Sequence, residues 1–267
     1  MGMSAKSRDP VVLTRPAPGV CLLTLNRPGV RNVMTTELTE AWDAALDDVA
    51  ADGEVRVLVV TGEGSSFCSG ADLSWLDQGS PEDLTIDRLR GRMLPFYRSW
   101  LRPRDLSIPT LAAVNGPAIG AGVCLALACD VRFAGPAARF STPFAHRGTH
   151  SGMGATWLLP EAIGVSRARD LLYTGREVGP DIALEWGLVT ELAEDVLART
   201  LTVAAEIAQA GPIALRLTKA GLAQSFTGLE QALQWEALAQ PVTMTTADIH
   251  EGILAFRENR LPRFRGH

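Results

Sequence analysis

Val114–Asp130, VNGPAIGAGVCLALACD, decides the fold of this 267-residue chain when read beside Ser65–Leu73, SSFCSGADL. In each, an apolar strand runs into a glycine-rich turn and then towards a helix. Amide N–H groups at such a turn have no intrahelical acceptor, and the helix dipole favours negative charge there. Two such turns side by side make a two-donor pocket for an oxygen that gains charge during a reaction. A third segment, Phe140–His150, FSTPFAHRGTH, is then expected to supply the acid or base. It contains no carboxylate, which limits the chemistry.

Outward from these segments, strand and helix alternate. Val11–Thr14 and Val20–Leu25 read as strands joined by a Pro/Gly turn. Thr35–Val49 has helical periodicity, with Leu38, Trp42, Ala45, Leu46 and Val49 as its apolar stripe. Val55–Thr61 is a continuous β-branched run, the mark of a strand buried on both faces. Asp72–Leu76 opens a short helix and Pro81–Trp100 is a more polar one. Thr110–Val114, Val131–Ala134 and Arg139–Ser141 are strands, and Gly122–Ala128 is a wholly apolar, hence central, helix. After about Gly152 the pattern turns helical, over 152–164, 166–173, 181–186, 194–209, 212–224, 228–239 and 246–257, with Leu188–Leu192 as its one strand. This is an α/β fold followed by a helical tail. No internal repeat is evident.

The bulk properties fit that reading. Net charge is −5, which argues against a nucleic-acid surface. Four cysteines, Cys21, Cys68, Cys124 and Cys129, lie in apolar runs with no metal-ligand spacing, as in a reducing compartment. No signal-peptide core or membrane-length apolar run is present, so the expectation is a cytoplasmic protein without a membrane partner.

Taken together, the motifs resemble the crotonase (enoyl-CoA hydratase/isomerase) superfamily. They are NRP at Asn26–Pro28, SFCSGADL at Ser66–Leu73, AVNGPAIGAG at Ala113–Gly122, the Cys129-Asp130 pair and GMGAT at Gly152–Thr156. LLYTG at Leu171–Gly175, WGLV at Trp186–Val189 and AFRENRLPRF at Ala255–Phe264 continue the series in family order. The resemblance implies a spiral of ββα units with acyl-CoA site over residues 1–195, and a C-terminal helical region, 196–267, that builds trimers or hexamers. It implies an acyl-CoA thioester as substrate, with coenzyme A part of that substrate and no separate cofactor or metal.

The family polarises the thioester carbonyl with two backbone N–H groups, which would here belong to Ala71 and Ala121. Such donors are worth about 3–4 kcal/mol each to the developing oxyanion. Ala121 stands where the family usually has glycine; the N–H is unaffected, but the methyl narrows the pocket. Acyl and pantetheine contacts would fall on Ala71, Asp72, Leu73 and Ser74, and Arg31 would meet the CoA phosphates.

Hydratases of the family use two glutamates, and these positions align with Cys124 and Phe144. Between Asp105 and Glu161 the only acidic residue is Asp130, which ends the apolar helix, so no shift of alignment restores the pair. His146 and His150 are the candidate substitutes as general acid or base. Cys124, near a helix N-terminus, reads either as a small buried thiol or as a lowered-pKa group. Asp72 reads as a cap; Asp77, Glu82 and Asp83 read either as a solvated face or as groups within reach of the pocket. Trp75, Tyr97 and Trp100 either line the acyl tunnel or pack the core.

The expected function is an enoyl-CoA hydratase/isomerase-like enzyme, a lyase or isomerase of fatty-acid metabolism, for which ordinary hydration is doubtful. A silent acyl-CoA binder and a decarboxylase or thioesterase remain as alternatives. A serine or cysteine hydrolase of another fold is disfavoured, since no G-x-S-x-G elbow occurs and Cys68 has no nearby histidine in sequence.

Overall fold

Through the middle of the chain, from Thr110 to Ser141, successive strands go alternately to two sheets, and that alternation places the site. The structure is a computed structural model that describes residues 9–72, 74, 85–224 and 226–267. β1 (Val11–Ala17) and β2 (Val20–Leu25) form an antiparallel hairpin. From β2 the larger sheet continues in parallel through β3 (Val57–Gly62), β4 (Thr110–Val114), β6 (Val131–Ala134) and β9 (Glu191–Leu192). The smaller sheet pairs β5 (Pro117–Ile119) in parallel with β7 (Arg139–Ser141), and β7 antiparallel with β8 (Glu177–Val178). Two single bridges, Met34 to Ala71 and Cys68 to Ala118, extend this second ladder backwards along the chain.

The repeating unit is therefore a strand in the larger sheet, a strand or bridge in the smaller one, and a helix. β4 and β5 lead into α3 (Ala121–Ala128), and β6 and β7 lead into α4 (Ala155–Thr174). These are the ββα turns that the resemblance implies. Connectivity recurs while residue content does not, so the sequence carries no visible repeat. α4 covers both helices expected over 152–173, and Gly164, at φ +77°, breaks its helical backbone between them.

β3 and β4 are buried at every position, as parallel strands covered on both faces must be. Their side chains alternate between two cores. Leu58, Val60, Ala112 and Val114 face a large core with Leu38, Trp42 and Leu46 of α1 (Thr36–Ala51) and with α3. Val57, Val59, Leu111 and Ala113 face the other side, where Val196, Ala204 and Ala208 of α6 (Val196–Ala208) cover them. The helix that opens the expected oligomerisation region thus closes the core. A strand apolar on both faces requires such a cover.

α1 starts where Thr35 Oγ1 accepts the Leu38 N–H at 3.1 Å. It is locked to α2 (Ile86–Leu101) by two tryptophans. Trp42 and Trp100 stack with centroids 4.8 Å apart. Trp42 Nε1 donates to the Ser99 carbonyl and Trp100 Nε1 to Thr39 Oγ1, each at 3.0 Å. Trp100 is therefore core rather than tunnel lining.

The remaining helices are α5 (Pro180–Trp186), α7 (Pro212–Leu222), α8 (Leu229–Met244) and α9 (Ala247–Glu258). Lys219 of α7 anchors this region by donating to the carbonyls of Pro103 (3.0 Å) and Ile108 (2.9 Å) and to Asp130 Oδ2 (2.8 Å). The same Asp130 oxygen accepts the Thr110 N–H at 2.7 Å, so this acidic residue ties strand to tail. Among the described residues no helix is long and apolar enough to cross a membrane.

Trp42→Ala removes a fully buried, stacked side chain, and is expected to lower the unfolding free energy by about 3–5 kcal/mol. Denaturant unfolding measures this, and a loss below about 1 kcal/mol would contradict the packing role given to the tryptophan pair.

Candidate active site

The two glycine turns meet because two backbone bonds tie them. Cys68 N–H donates to the Pro117 carbonyl at 3.1 Å, and Ile119 N–H donates back to the Cys68 carbonyl at 3.0 Å. The approach is too close for side chains. A Cβ on Gly122 would fall 2.1 Å from the Cys68 carbonyl oxygen. A Cβ on Gly70 would fall 2.6 Å from the Ile119 oxygen and 3.5 Å from Ala121 N, and Gly70 has a φ of +96° besides.

The direction of the Ala71 amide follows from its neighbours. Met34 N–H donates to the Gly70 carbonyl at 2.8 Å, and Asp72 N–H donates to the Met34 carbonyl at 3.3 Å. Along an extended segment successive amides point to opposite sides, so Ala71 N–H points away from Met34. Ala121 is the first residue of α3, after Gly120 at φ +57°, and its N–H has no acceptor within the helix. Among the described residues no backbone carbonyl takes either amide.

A residue not singled out from sequence steadies the first turn. Asn32 is fully buried at φ +53°. Its Nδ2 donates to the carbonyls of Ser66 (2.8 Å) and Phe67 (3.2 Å), and its Oδ1 accepts the Arg27 N–H at 2.9 Å. Asparagine tolerates the left-handed region and has a short amide to bridge strands, which is the signal its place after NRPGVR offers.

Both turns open on a cavity of about 950 Å³. Of the expected site residues, Ala71, Asp72, Ser74, Ala121, Phe144 and His150 line it, as does Tyr97. Phe144 stands beside the second turn, its ring 3.7 Å from where a Gly120 Cβ would be. Asp72 Oδ1 accepts the Ser74 N–H at 2.9 Å, the capping role expected of it. Leu73, Trp75, Asp77, Glu82 and Asp83 lie outside the described residues.

Three expected residues are not brought to this lining: Arg31, Cys124 and His146. Arg31 is an exposed left-handed residue that closes a short helical turn, and its carbonyl accepts the Ser69 N–H at 3.0 Å. Cys124 is fully buried behind the wall, its Sγ 3.7 Å from the Gly152 carbonyl, and burial pushes its thiol up to about 12. It is a protonated packing residue at neutral pH. His146 lies against Gly175, whose Cβ would be 2.8 Å from the imidazole Cδ2. The turn Ala145–Arg147 ends at Gly148 in the left-handed conformation, and Arg147 rather than His146 lines the cavity.

His150 is exposed, with Nδ1 2.7 Å from the Ser151 carbonyl. A carbonyl only accepts, so Nδ1 carries the proton and Nε2 is left for exchange with a ligand. Tyr97 is raised from its ordinary value by burial, with neighbouring Cys124 adding to this and a bond from the Met153 backbone opposing it.

The cavity does hold carboxylates, from elements other than the one expected to supply them. Thr36, Thr39, Glu40 and Asp43 line it from α1. Their spacing is one face of a helix, opposite the buried Leu38–Trp42 stripe. Asp43 Oδ1 accepts from Ser99 Oγ at 2.8 Å and from Arg102 Nη1 at 3.1 Å. Among the described residues no cluster of three or more His, Cys, Asp or Glu could hold a metal ion.

The class of the protein follows from its likeness to known proteins over nearly the whole chain. The family of enoyl-CoA hydratase/isomerase matches residues 16–267, and the chain belongs to that family. A probable enoyl-CoA hydratase of Mycobacterium leprae is 38% identical over 261 residues, covering 94% of this chain and 88% of that one. The mitochondrial enoyl-CoA hydratase domain-containing protein 2 of Bos taurus is 34% identical, covering 99% and 90%. The crystal structure of enoyl-CoA hydratase from Bacillus anthracis is similar with a TM-score of 0.89 at 32% identity, covering 97% of this chain and all of that one.

Two outcomes are expected. Gly122→Ala forces the turns apart and weakens CoA-thioester binding by at least about tenfold in calorimetry, whereas Ala121→Gly, which keeps the N–H, does not. Ellman titration of native protein finds the four buried cysteines slow to react and all four prompt after denaturation; rapid native reaction of Cys124 would contradict its burial.

Proposed function

We propose that this protein binds an acyl-CoA thioester and stabilises its enolate, or a tetrahedral oxyanion, between the N–H groups of Ala71 and Ala121. The observation that carries this reading is the contact of the two donor turns at the cavity. Enolate formation moves negative charge onto the thioester oxygen, and fixed donors in a water-poor site favour that state over the ground state. Coenzyme A enters as part of the substrate, and the chemistry asks for no other group.

Hydration of a 2-enoyl thioester needs a base for water and an acid for the α-carbon. The positions aligned with the family glutamates are Cys124, a protonated buried thiol, and Phe144, which carries no proton to move. The reading is therefore a reaction needing one proton-transfer group, with His150 Nε2 as that group. Isomerisation, decarboxylation and thioester hydrolysis meet this condition. A catalytically silent acyl-CoA binder is the second reading, favoured by the same two replacements.

The proposed assembly is a trimer or a pair of trimers. It is supported by Leu229, Leu238 and Phe256 of α8 and α9, which are 74, 75 and 87% exposed. A cytoplasmic setting suits four free, buried thiols.

The test is mass-spectrometric turnover of enoyl-, 3-enoyl-, malonyl-type, hydroxyacyl- and aryl-CoA thioesters, with binding measured in parallel. One class is expected to yield a product, and His150→Gln to lower kcat by about 10²–10⁴-fold with little change in thioester Kd. Binding without product supports the silent reading. Crotonyl-CoA hydration at roughly 1–1000 per second would overturn the argument from the missing glutamates.

A further inference from the structure

We propose that the acyl group this cavity takes carries its own carboxylate, and that Arg147 binds it. The proposal rests on the acyl-CoA reading above and names the substrate class within it. Arg147 lines the cavity from the segment where a hydratase of the family presents a glutamate. That segment, 140–150, contributes Arg147 and His150 and no acidic residue.

The backbone that carries Arg147 is held by a turn, and the side chain extends from it exposed at the cavity. Arg147 N–H and Thr149 N–H both donate to the Phe144 carbonyl, at 3.0 and 3.1 Å, and Gly148 N–H donates to Ala145 at 3.0 Å. Phe144 in turn stands beside Gly120, so the turn bearing Arg147 is seated on the second donor turn. Several other arginines are matched to carboxylates, Arg102 with Asp43 and Asp47, Arg104 with Glu161, Arg199 with Glu191 and Arg260 with Glu251, while Arg56 and Arg132 bond to backbone carbonyls. Among the described residues no carboxylate pairs with Arg147.

The other charged lining groups decide where an anion would sit. Asp43 is engaged by Arg102 and Ser99, and Asp72 by the Ser74 amide. Glu40 lies on α1 with Asp43 and repels an anion from that wall, as it would the coenzyme's phosphates. Arg92, which has a partner of its own, lines the cavity from α2. On the segment from Phe144, by contrast, the cation and an imidazole stand together.

A guanidinium matches a carboxylate in a two-bond fork, and the match strengthens as water is excluded. An alkyl acyl chain of the same length would desolvate the cation and return nothing. The bound carboxylate is a recognition element remote from the thioester. Pairing a carboxylate about to leave as CO2 would stabilise the ground state and oppose its loss.

The experiment is calorimetric binding of succinyl-, glutaryl- and adipoyl-CoA against butyryl-, valeryl- and hexanoyl-CoA, to wild-type protein and to Arg147→Gln. At one or more lengths the carboxyacyl thioester is expected to bind at least about tenfold tighter than its alkyl counterpart, and the preference to fall within about threefold in the variant. Equal or tighter alkyl binding at all three lengths overturns the proposal. So does a variant that weakens both series by one factor, since Arg147 would then read the coenzyme. Failure of wild type to bind any of the six defeats the acyl-CoA reading itself and the proposal with it.

Discussion

The structure depends on one close approach, that of the Cys68 backbone to the start of α3. With a carbonyl oxygen 2.1 Å from where a Gly122 Cβ would be, no side chain fits there. The reciprocal bonds between Cys68 and the 117–119 strand hold that contact, and the Asn32 amide holds the loop that leads to it. From this follows the adjacency of Ala71 and Ala121, each with an N–H left over from local structure. The spiral serves this contact. Dealing strands alternately to two sheets brings the second strand of each turn alongside that of the turn before, so two connections distant in sequence become neighbours.

The stability of that arrangement comes from either side of the larger sheet. The tryptophan pair fixes α1 on α2, so the cavity has a rigid polar wall on α1 and a mixed wall on α2. On the opposite face α6 covers Val57, Val59 and Leu111. Placing the chemistry on backbone amides frees the side chains around it to vary. Side chains without a carboxylate at Cys124 and Phe144 therefore leave both donor turns in place.

Most of the fold is legible in the chain because its signals are strong ones. The run Val55–Thr61, rich in β-branched residues, reads as a doubly buried strand, and the wholly apolar Gly122–Ala128 reads as a central helix. β5 and β8, three and two residues long, carry no pattern of their own and exist only through their partners. The donor turns are legible through glycine. The lining is less so, since it depends on direction rather than composition. Gly148 in the left-handed conformation presents Arg147 and leaves His146 against Gly175. The Thr36–Asp43 face of α1 has a spacing visible in the sequence, but only the packing of α2 shows that it borders a cavity.

The central claim is that two amides act on one thioester oxygen. The most direct measurement is the infrared carbonyl band of a 13C-labelled thioester bound to the protein. The account predicts a shift of that band to lower frequency on binding, lost in Gly122→Ala. A bound thioester whose carbonyl band stays at its solution frequency would contradict it.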